Sequence, residues 1–269
     1  MDSSIVDSIA DSKNVNKVVV PKMVFIVPYR NRQQHKTFFS KYMEFIMEDV
    51  SKNDYEIYFS HQCDGRNFNR GGMKNIGFLA MKEKYPEHYK NMTFIFNDVD
   101  TLPYTKNLLP YETTSGVIKH FYGYPFCLGG IFSIKGEDFE KTNGFPNFWG
   151  WGREDNTMQY RVVKCGFKID RTTFFKIGDQ NILQFVDGIV KLINRTEISS
   201  SLNKSTVDGL STIRNLQYTI KDDFINVNTF DSLIHPNSLT YDKHDYRKGN
   251  SVIMHGDRFG NMLGFMKRK

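Results

Sequence analysis

Asp98-Val99-Asp100 sets two carboxylates two residues apart. In a turn, both can converge on one hard cation. Mg²⁺ or Mn²⁺ takes such oxygen donors and commonly keeps substrate phosphates in its shell. Asx residues also favour turns for their own backbone bonding, so a solvated turn gives the same pair. The setting favours chemistry, because the pair directly follows the apolar run Thr93-Phe94-Ile95-Phe96. Arg30 and Arg32 follow Pro28-Tyr29, and Arg70 stands in Phe68-Asn69-Arg70-Gly71-Gly72. Guanidinium forks match phosphate oxygens, and a glycine-opened helix start offers free backbone N–H groups. Neither segment is a Walker loop or a G-x-G-x-x-G fingerprint, and two solvated loops would read alike. The third group is Phe148-Trp149-Gly150-Trp151-Gly152-Arg153-Glu154-Asp155, which holds both tryptophans of the chain. Indoles beside glycine can stack on sugar faces or fill a core. Acids at a helix start can complement its dipole, or one can serve as a general base. Neighbouring helical residues point apart, so Glu154 and Asp155 should play different parts.

The elements that position these residues alternate. Met23-Val24-Phe25-Ile26-Val27 reads as a buried strand ended by Pro28. Phe38, Tyr42, Phe45 and Ile46 recur at helical spacing. A strand over Tyr55–Phe59, a helix from Gly71-Gly72 to about Lys84 and a strand over Thr93–Phe96 follow. This alternation predicts a parallel α/β arrangement, with ligands beyond the carboxyl ends of the strands. Both the Pro28–Arg32 and the Asp98–Asp100 segments lie there. Ile131–Ile134 predicts a strand and Glu154–Lys164 a helix, with strands near Phe167–Ile169 and Phe174–Ile177. The pattern weakens after Lys221.

A chain of 269 residues makes one large domain or two small ones. With 39% hydrophobic and 25% charged residues, wholesale disorder is excluded. The balance of 36 basic against 30 acidic residues points to an anionic partner. The basic residues are scattered and no recognition motif appears, which argues against nucleic acid. Cys63, Cys127 and Cys165 lack metal-knuckle spacing, so zinc ribbons and disulfide frameworks are disfavoured. No apolar run is long enough for a membrane span, and residues 1–17 lack the apolar core of a secretory signal. The expectation is a disordered arm over 1–17 and a cytoplasmic protein.

Val27-Pro28-Tyr29-Arg30-Asn31-Arg32, Phe68-Asn69-Arg70 with Asn75-Ile76-Gly77-Phe78, Asp98-Val99-Asp100, Gly129-Gly130, Asn143-Gly144-Phe145-Pro146 and the tryptophan-acid block occur in one order. In that order the chain resembles the β-1,4-galactosyltransferases, most closely the xylosylprotein branch, from about Met23 to Ile220. Asp208-Gly209-Leu210 is similar to the family's closing segment. The resemblance implies an α/β fold of the GT-A, Rossmann-like kind: a single domain over 18–220 with a mixed central sheet, and an extension over 221–269. It implies a UDP-sugar donor, Mn²⁺ and inverting transfer to a glycan or glycoconjugate acceptor. Pro28, Arg30 and Arg32 would hold the nucleotide, with Phe68 and Arg70 flanking the uridine. Asp98 would lie near the ribose and the metal, Asp100 would ligate the metal, and Val99 would belong to the donor-binding set. Trp151 would lie on a lid, Glu154 would bind the acceptor sugar and Asp155 would be the base.

The chain departs from the family in two places. The family supplies a histidine as a third metal ligand downstream of the acidic block. Here no histidine occurs between His120 and His235. Asp179, Gln180 or a tail histidine could substitute; otherwise the protein is a catalytically inactive sugar-nucleotide binder. Galactose-specific members carry a tyrosine two residues before the Gly-Gly pair, where this chain has Cys127. The smaller side chain opens the choice between galactose and N-acetylgalactosamine.

Overall fold

Strand β1 (Met23–Tyr29) is buried at every position. Val24 and Ile26 face one core, while Met23, Phe25, Val27 and Tyr29 face another. This is the period of a strand covered on both faces, and it explains a run without charged residues. The computed structural model describes residues 19–186, 188–197, 207–245 and 247. The arm over 1–17 lies outside the described residues.

Helix α1 (Gln33–Ile46), strand β2 (Tyr55–Gln62), helix α2 (Arg70–Lys84) and strand β3 (Thr93–Asn97) follow, as the alternation predicts. β2 and β3 pair in parallel with opposite edges of β1, with Val27 facing Phe59 and Ile26 facing Phe96. Strand order therefore reverses at β1, and a crevice opens beyond the carboxyl ends of β1 and β3. Helix α2 lies close against β1 at Gly77, where an added methyl would overlap the Ile26 side chain.

The second half is richer than its sequence suggests. It holds β4 (Thr101–Pro103), β5 (Val117–Gly123), β6 (Ile131–Lys135), α3 (Gly136–Lys141), α4 (Glu154–Lys164), β7 (Lys168–Asp170), β8 (Phe175–Lys176), β9 (Ile182–Gln184) and β10 (Val190–Ile193). β11 (Arg214–Lys221), β12 (Phe224–Asp231) and β13 (Asp242–Asp245) complete it. β6 runs antiparallel to β3 and β5 antiparallel to β6, so the sheet is mixed. Its order is β11-β12-β2-β1-β3-β6-β5-β7, with β8 also beside β5. Two ribbons, β4–β9 and β10–β13, stand outside it.

The expected division after residue 220 cuts β11 one residue before its end, inside the β11–β12 hairpin. β12 pairs in parallel with β2, Phe224 opposite Phe59, and buries Ile225, Val227 and Phe230. Residues 224–231 thus belong to the central sheet rather than to an appended tail. Among the described residues, no helix is long and apolar enough to cross a membrane.

Candidate active site

Two chambers open beyond the carboxyl ends of β1 and β3. The smaller, of about 300 Å³, is lined by Pro28, Arg30, Arg32, Phe68, Arg70, Asp98, Val99 and Asp100. Every residue that the sequence assigns to a nucleotide therefore meets in one cavity. β1 runs on through Pro28 to Tyr29, one residue past the expected stop, and the chain then turns through Asn31 at a positive φ of 51°. That turn lets Arg30 and Arg32 face the cavity before α1 begins. Arg30 Nη1 donates to the Arg66 carbonyl, which braces its guanidinium. On the other side, Asn69 caps α2 by accepting from Gly72 N at 2.7 Å, and Arg70 opens the helix toward the crevice.

The turn after β3 is held from within. The buried Asn97 amide donates to the Asp98 carbonyl at 2.8 Å and to the Thr101 carbonyl at 2.9 Å. Thr101 N closes the turn onto the Asp98 carbonyl at 3.2 Å. With the backbone satisfied, Asp98 and Asp100 both turn to the cavity wall. Arg70 Nη2 pairs with Asp98 Oδ2, and Lys74 Nζ lies 3.7 Å from Asp98 Oδ1. Asp98 Oδ1 is buried and accepts no hydrogen bond among the described residues. That oxygen and the Asp100 carboxylate form a hard donor pair. The pair fits a Mg²⁺- or Mn²⁺-type ion that completes its shell with substrate phosphate and water. Among the described residues, no group of three His, Cys, Asp or Glu is arranged to cage a metal.

The larger chamber, of about 640 Å³, adds Tyr122, Tyr124, Phe126, Cys127, Gly129, Asp155 and Gln184. It shares Arg70, Asp98, Asp100, Trp151, Glu154 and Lys191 with the smaller one, so the two meet along that line. The turn into α4 uses positive φ at Gly152 (119°) and at Arg153 (72°), a conformation that a non-glycine side chain adopts only at a cost. It presents Glu154 and Asp155 in the first turn of the helix. As their adjacency predicts, the two acids diverge. Glu154 Oε1 lies 4.0 Å from Arg70 Nε, and Glu154 Oε2 accepts from Gly152 N at 3.2 Å. Asp155 Oδ1 accepts from the buried Lys74 at 3.1 Å. Burial, with the neighbouring Asp155 charge, pushes the Glu154 carboxyl up, opposed by Arg70 and Lys74. Burial pushes the Lys74 amine down, opposed by Asp155. A methyl on Gly129 would overlap Asp155 Oδ2, so only glycine leaves that oxygen its place.

Trp151 lines both chambers, and its backbone N–H donates to the Leu192 carbonyl at 2.7 Å. Trp149 is a core residue and not a sugar platform. Its side chain is fully buried and stacks on Phe230 at 5.1 Å, and its indole N–H reaches Ser232 Oγ at 2.7 Å. Glu197 accepts from Trp149 N at 2.7 Å, and burial pushes its carboxyl up to about 7. Asp179 accepts from Asn181 N in its own turn, and Gln180 is exposed; neither lines a chamber. His235 caps the Pro236–Ser238 turn, His244 sits opposite Lys191 in the β10–β13 ribbon, and His255 lies outside the described residues. His120 lies buried behind Gly129, and its ring nitrogen reaches the Gly129 carbonyl at 3.2 Å. Burial and the Arg171 guanidinium push it down to about 4, so it is neutral. Cys127 lines the larger chamber, where burial pushes its thiol up to about 12.

Two cavity residues, Lys191 and Gln184, and the buried Lys74 behind the walls escape a sequence reading. Lys74 reads there as one more helical lysine. Lys191 reads as surface charge on a short strand. Gln184 reaches the wall because β9 pairs with β4, which sets it opposite Thr101, the residue after Asp100.

Two family profiles match consecutive stretches of the chain. The one described as the N-terminal region of glycosyl transferase group 7 matches residues 10–111, and the N-terminal domain of galactosyltransferase matches residues 112–184. Human β-1,4-galactosyltransferase 4 is 33% identical over 163 residues, 56% of this chain and 45% of that protein. Rat β-1,4-galactosyltransferase 6 is 31% identical over 211 residues, 74% of this chain and 53% of that protein. The chain thus spans about half the length of the curated relatives it matches. The catalytic domain of Drosophila β1,4-galactosyltransferase 7, in complex with xylobiose, superposes with a TM-score of 0.60 at 23% identity, over 81% of this chain and 97% of that one. A variant of that enzyme, in complex with manganese, UDP-Gal and xylobiose, gives 0.61 at 22% identity over the same shares. The fold is GT-A, and the chain belongs to the β-1,4-galactosyltransferase family.

Proposed function

We propose that the chain is a metal-dependent, inverting glycosyltransferase that moves galactose or N-acetylgalactosamine from UDP to a glycan acceptor. The observation that carries this reading is the meeting of the two chambers along Asp98, Asp100, Trp151 and Glu154. One chamber offers arginines to a diphosphate, and the other offers carboxylates to a hydroxyl. The family names, and the UDP-Gal, manganese and xylobiose bound by the Drosophila enzyme, support the same chemistry.

In this reading, Pro28, Phe68 and Val99 wall the nucleotide while Arg30, Arg32 and Arg70 bind its phosphates. Asp98 and Asp100 would hold Mn²⁺, which when bound supplies positive charge beside the leaving diphosphate. Glu154 orients the acceptor sugar at the junction. Asp155 takes the proton of the attacking hydroxyl as that oxygen displaces UDP from the anomeric carbon. A single displacement inverts the centre, so an α-linked donor gives a β-linked product. Trp151 closes the space between donor and acceptor. Cys127 leaves room for an N-acetyl group on the donor sugar.

The lack of a three-donor cage among the described residues supports a second reading, a binder without turnover. Melting curves test the donor site common to both. At a hundredfold excess over Kd, UDP with Mn²⁺ contributes about 2.7 kcal/mol, and Tm should rise by about 5 °C or more. ADP with Mn²⁺, or Mn²⁺ alone, should do less. No shift with any UDP species would remove the donor site.

A further inference from the structure

Lys74 is a lysine where helix α2 would be expected to hold an apolar residue. It is 1% exposed, and its neighbours Met73, Ile76, Ala80 and Met81 are buried and apolar. A buried ammonium is costly unless it is paired and hydrogen-bonded, and truncating one partner of such a pair leaves the other charge uncompensated. Lys74 Nζ donates to Asp155 Oδ1 at 3.1 Å and lies 3.7 Å from Asp98 Oδ1. The Phe145 ring covers it, with its nitrogen 4.5 Å from the ring centre. Its two carboxylates come from different elements, Asp98 from the turn after β3 and Asp155 from the start of α4. Under the function proposed above, they serve opposite halves of the reaction, the leaving diphosphate and the attacking hydroxyl.

The ties on the two acids are unequal. Asp98 has Arg70 as a second cation, whereas Asp155 is fixed by a hydrogen bond from Lys74 on one oxygen and by the bare backbone of Gly129 beside the other. We infer that Lys74 is a positioning residue for the transfer step: a buried ammonium that holds the Asp155 carboxylate at a fixed place relative to Asp98, so that the acceptor oxygen loses its proton while aligned with the departing diphosphate. The inference rests on the proposed function. It adds a residue outside the arginine, Asp-x-Asp and Glu-Asp groups, one that touches no substrate and acts through Asp155.

A double-substitution cycle tests it. Lys74→Met, Asp155→Asn and the double variant are compared with the wild type for kcat, for donor and acceptor KM, and for UDP–Mn²⁺ binding by calorimetry. Misplacing a catalytic group by about 1 Å costs roughly a hundredfold. Lys74→Met should therefore lower kcat about a hundredfold and leave UDP–Mn²⁺ affinity within about threefold. In the Asp155→Asn background the same substitution should change kcat less than about threefold, because the carboxylate it positions is gone. A residue that only supports the fold would lower Tm and leave kcat per folded molecule unchanged in either background. If Lys74→Met alone does not fold, the double variant, which removes both charges of the pair, is compared with Asp155→Asn, and a further hundredfold loss there overturns the role. A Lys74→Met enzyme with near wild-type kcat, or one that loses only UDP–Mn²⁺ affinity, also overturns it while the proposed function stands. A wild type that transfers no sugar from any UDP donor overturns both.

Discussion

Asp155→Asn is expected to lower transfer by about 10²–10⁴-fold, the range that a positioned general base contributes. The substitution is nearly isosteric. The asparagine oxygen can still accept from Lys74, and Gly129 still leaves room for the second atom. Nothing in the smaller chamber moves, because Asp155 lines only the larger one. UDP–Mn²⁺ binding should therefore stay within a few-fold of the wild type. Initial rates of UDP release, read beside a calorimetric titration, separate the two quantities. Full turnover by the variant would take Asp155 out of the base role and leave Glu154 as the other acid of the α4 start.

Trp149→Ala is expected to cost about 3–5 kcal/mol of stability, the range for deleting a large buried aromatic. Trp149 is fully buried, with Phe230 of β12 on one face and the Arg66 guanidinium 4.4 Å from the ring centre. Its indole N–H also reaches the Ile234 carbonyl at 2.9 Å. One side chain thereby fastens the glycine-rich loop that carries Trp151 to the end of the central sheet. The loss should lower Tm by about 10 °C and reduce transfer as well, since Glu154 and Asp155 follow this loop. Denaturant unfolding measures the first effect. A loss under about 1 kcal/mol would mean that β12 and the loop are not joined through this residue.

These two residues also mark how far the sequence could be read. β1, β2, α2 and β3 follow from their apolar patterns because each is buried along most of its length. The crevice beyond them follows from strand alternation alone. β12 is harder to see. Phe-Ile-Asn-Val-Asn alternates as a strand should, yet half of its residues are polar, and its partner β2 lies some 160 residues earlier in the chain. Trp149 and Trp151 are two residues apart in a glycine-rich run, and either could face a sugar. Only the position of Phe230 decides that Trp149 faces inward. Lys74 is invisible for a different reason: a charged residue on a helix reads as solvated until two carboxylates from distant elements are found against it. Among the described residues, the expected histidine has no counterpart on the chamber walls. Gln184 stands there beside the acidic turn, brought in by pairing between two three-residue strands.

The anomeric configuration of the product tests the central claim most directly. The wild type is incubated with Mn²⁺ and α-linked UDP-galactose or UDP-N-acetylgalactosamine in the presence of xylose, glucose or N-acetylglucosamine, and the product is read by proton NMR. A single displacement driven by Asp155 predicts a new β-linkage formed with stoichiometric UDP. An α-linked product, or UDP-sugar left intact with every acceptor, would contradict it.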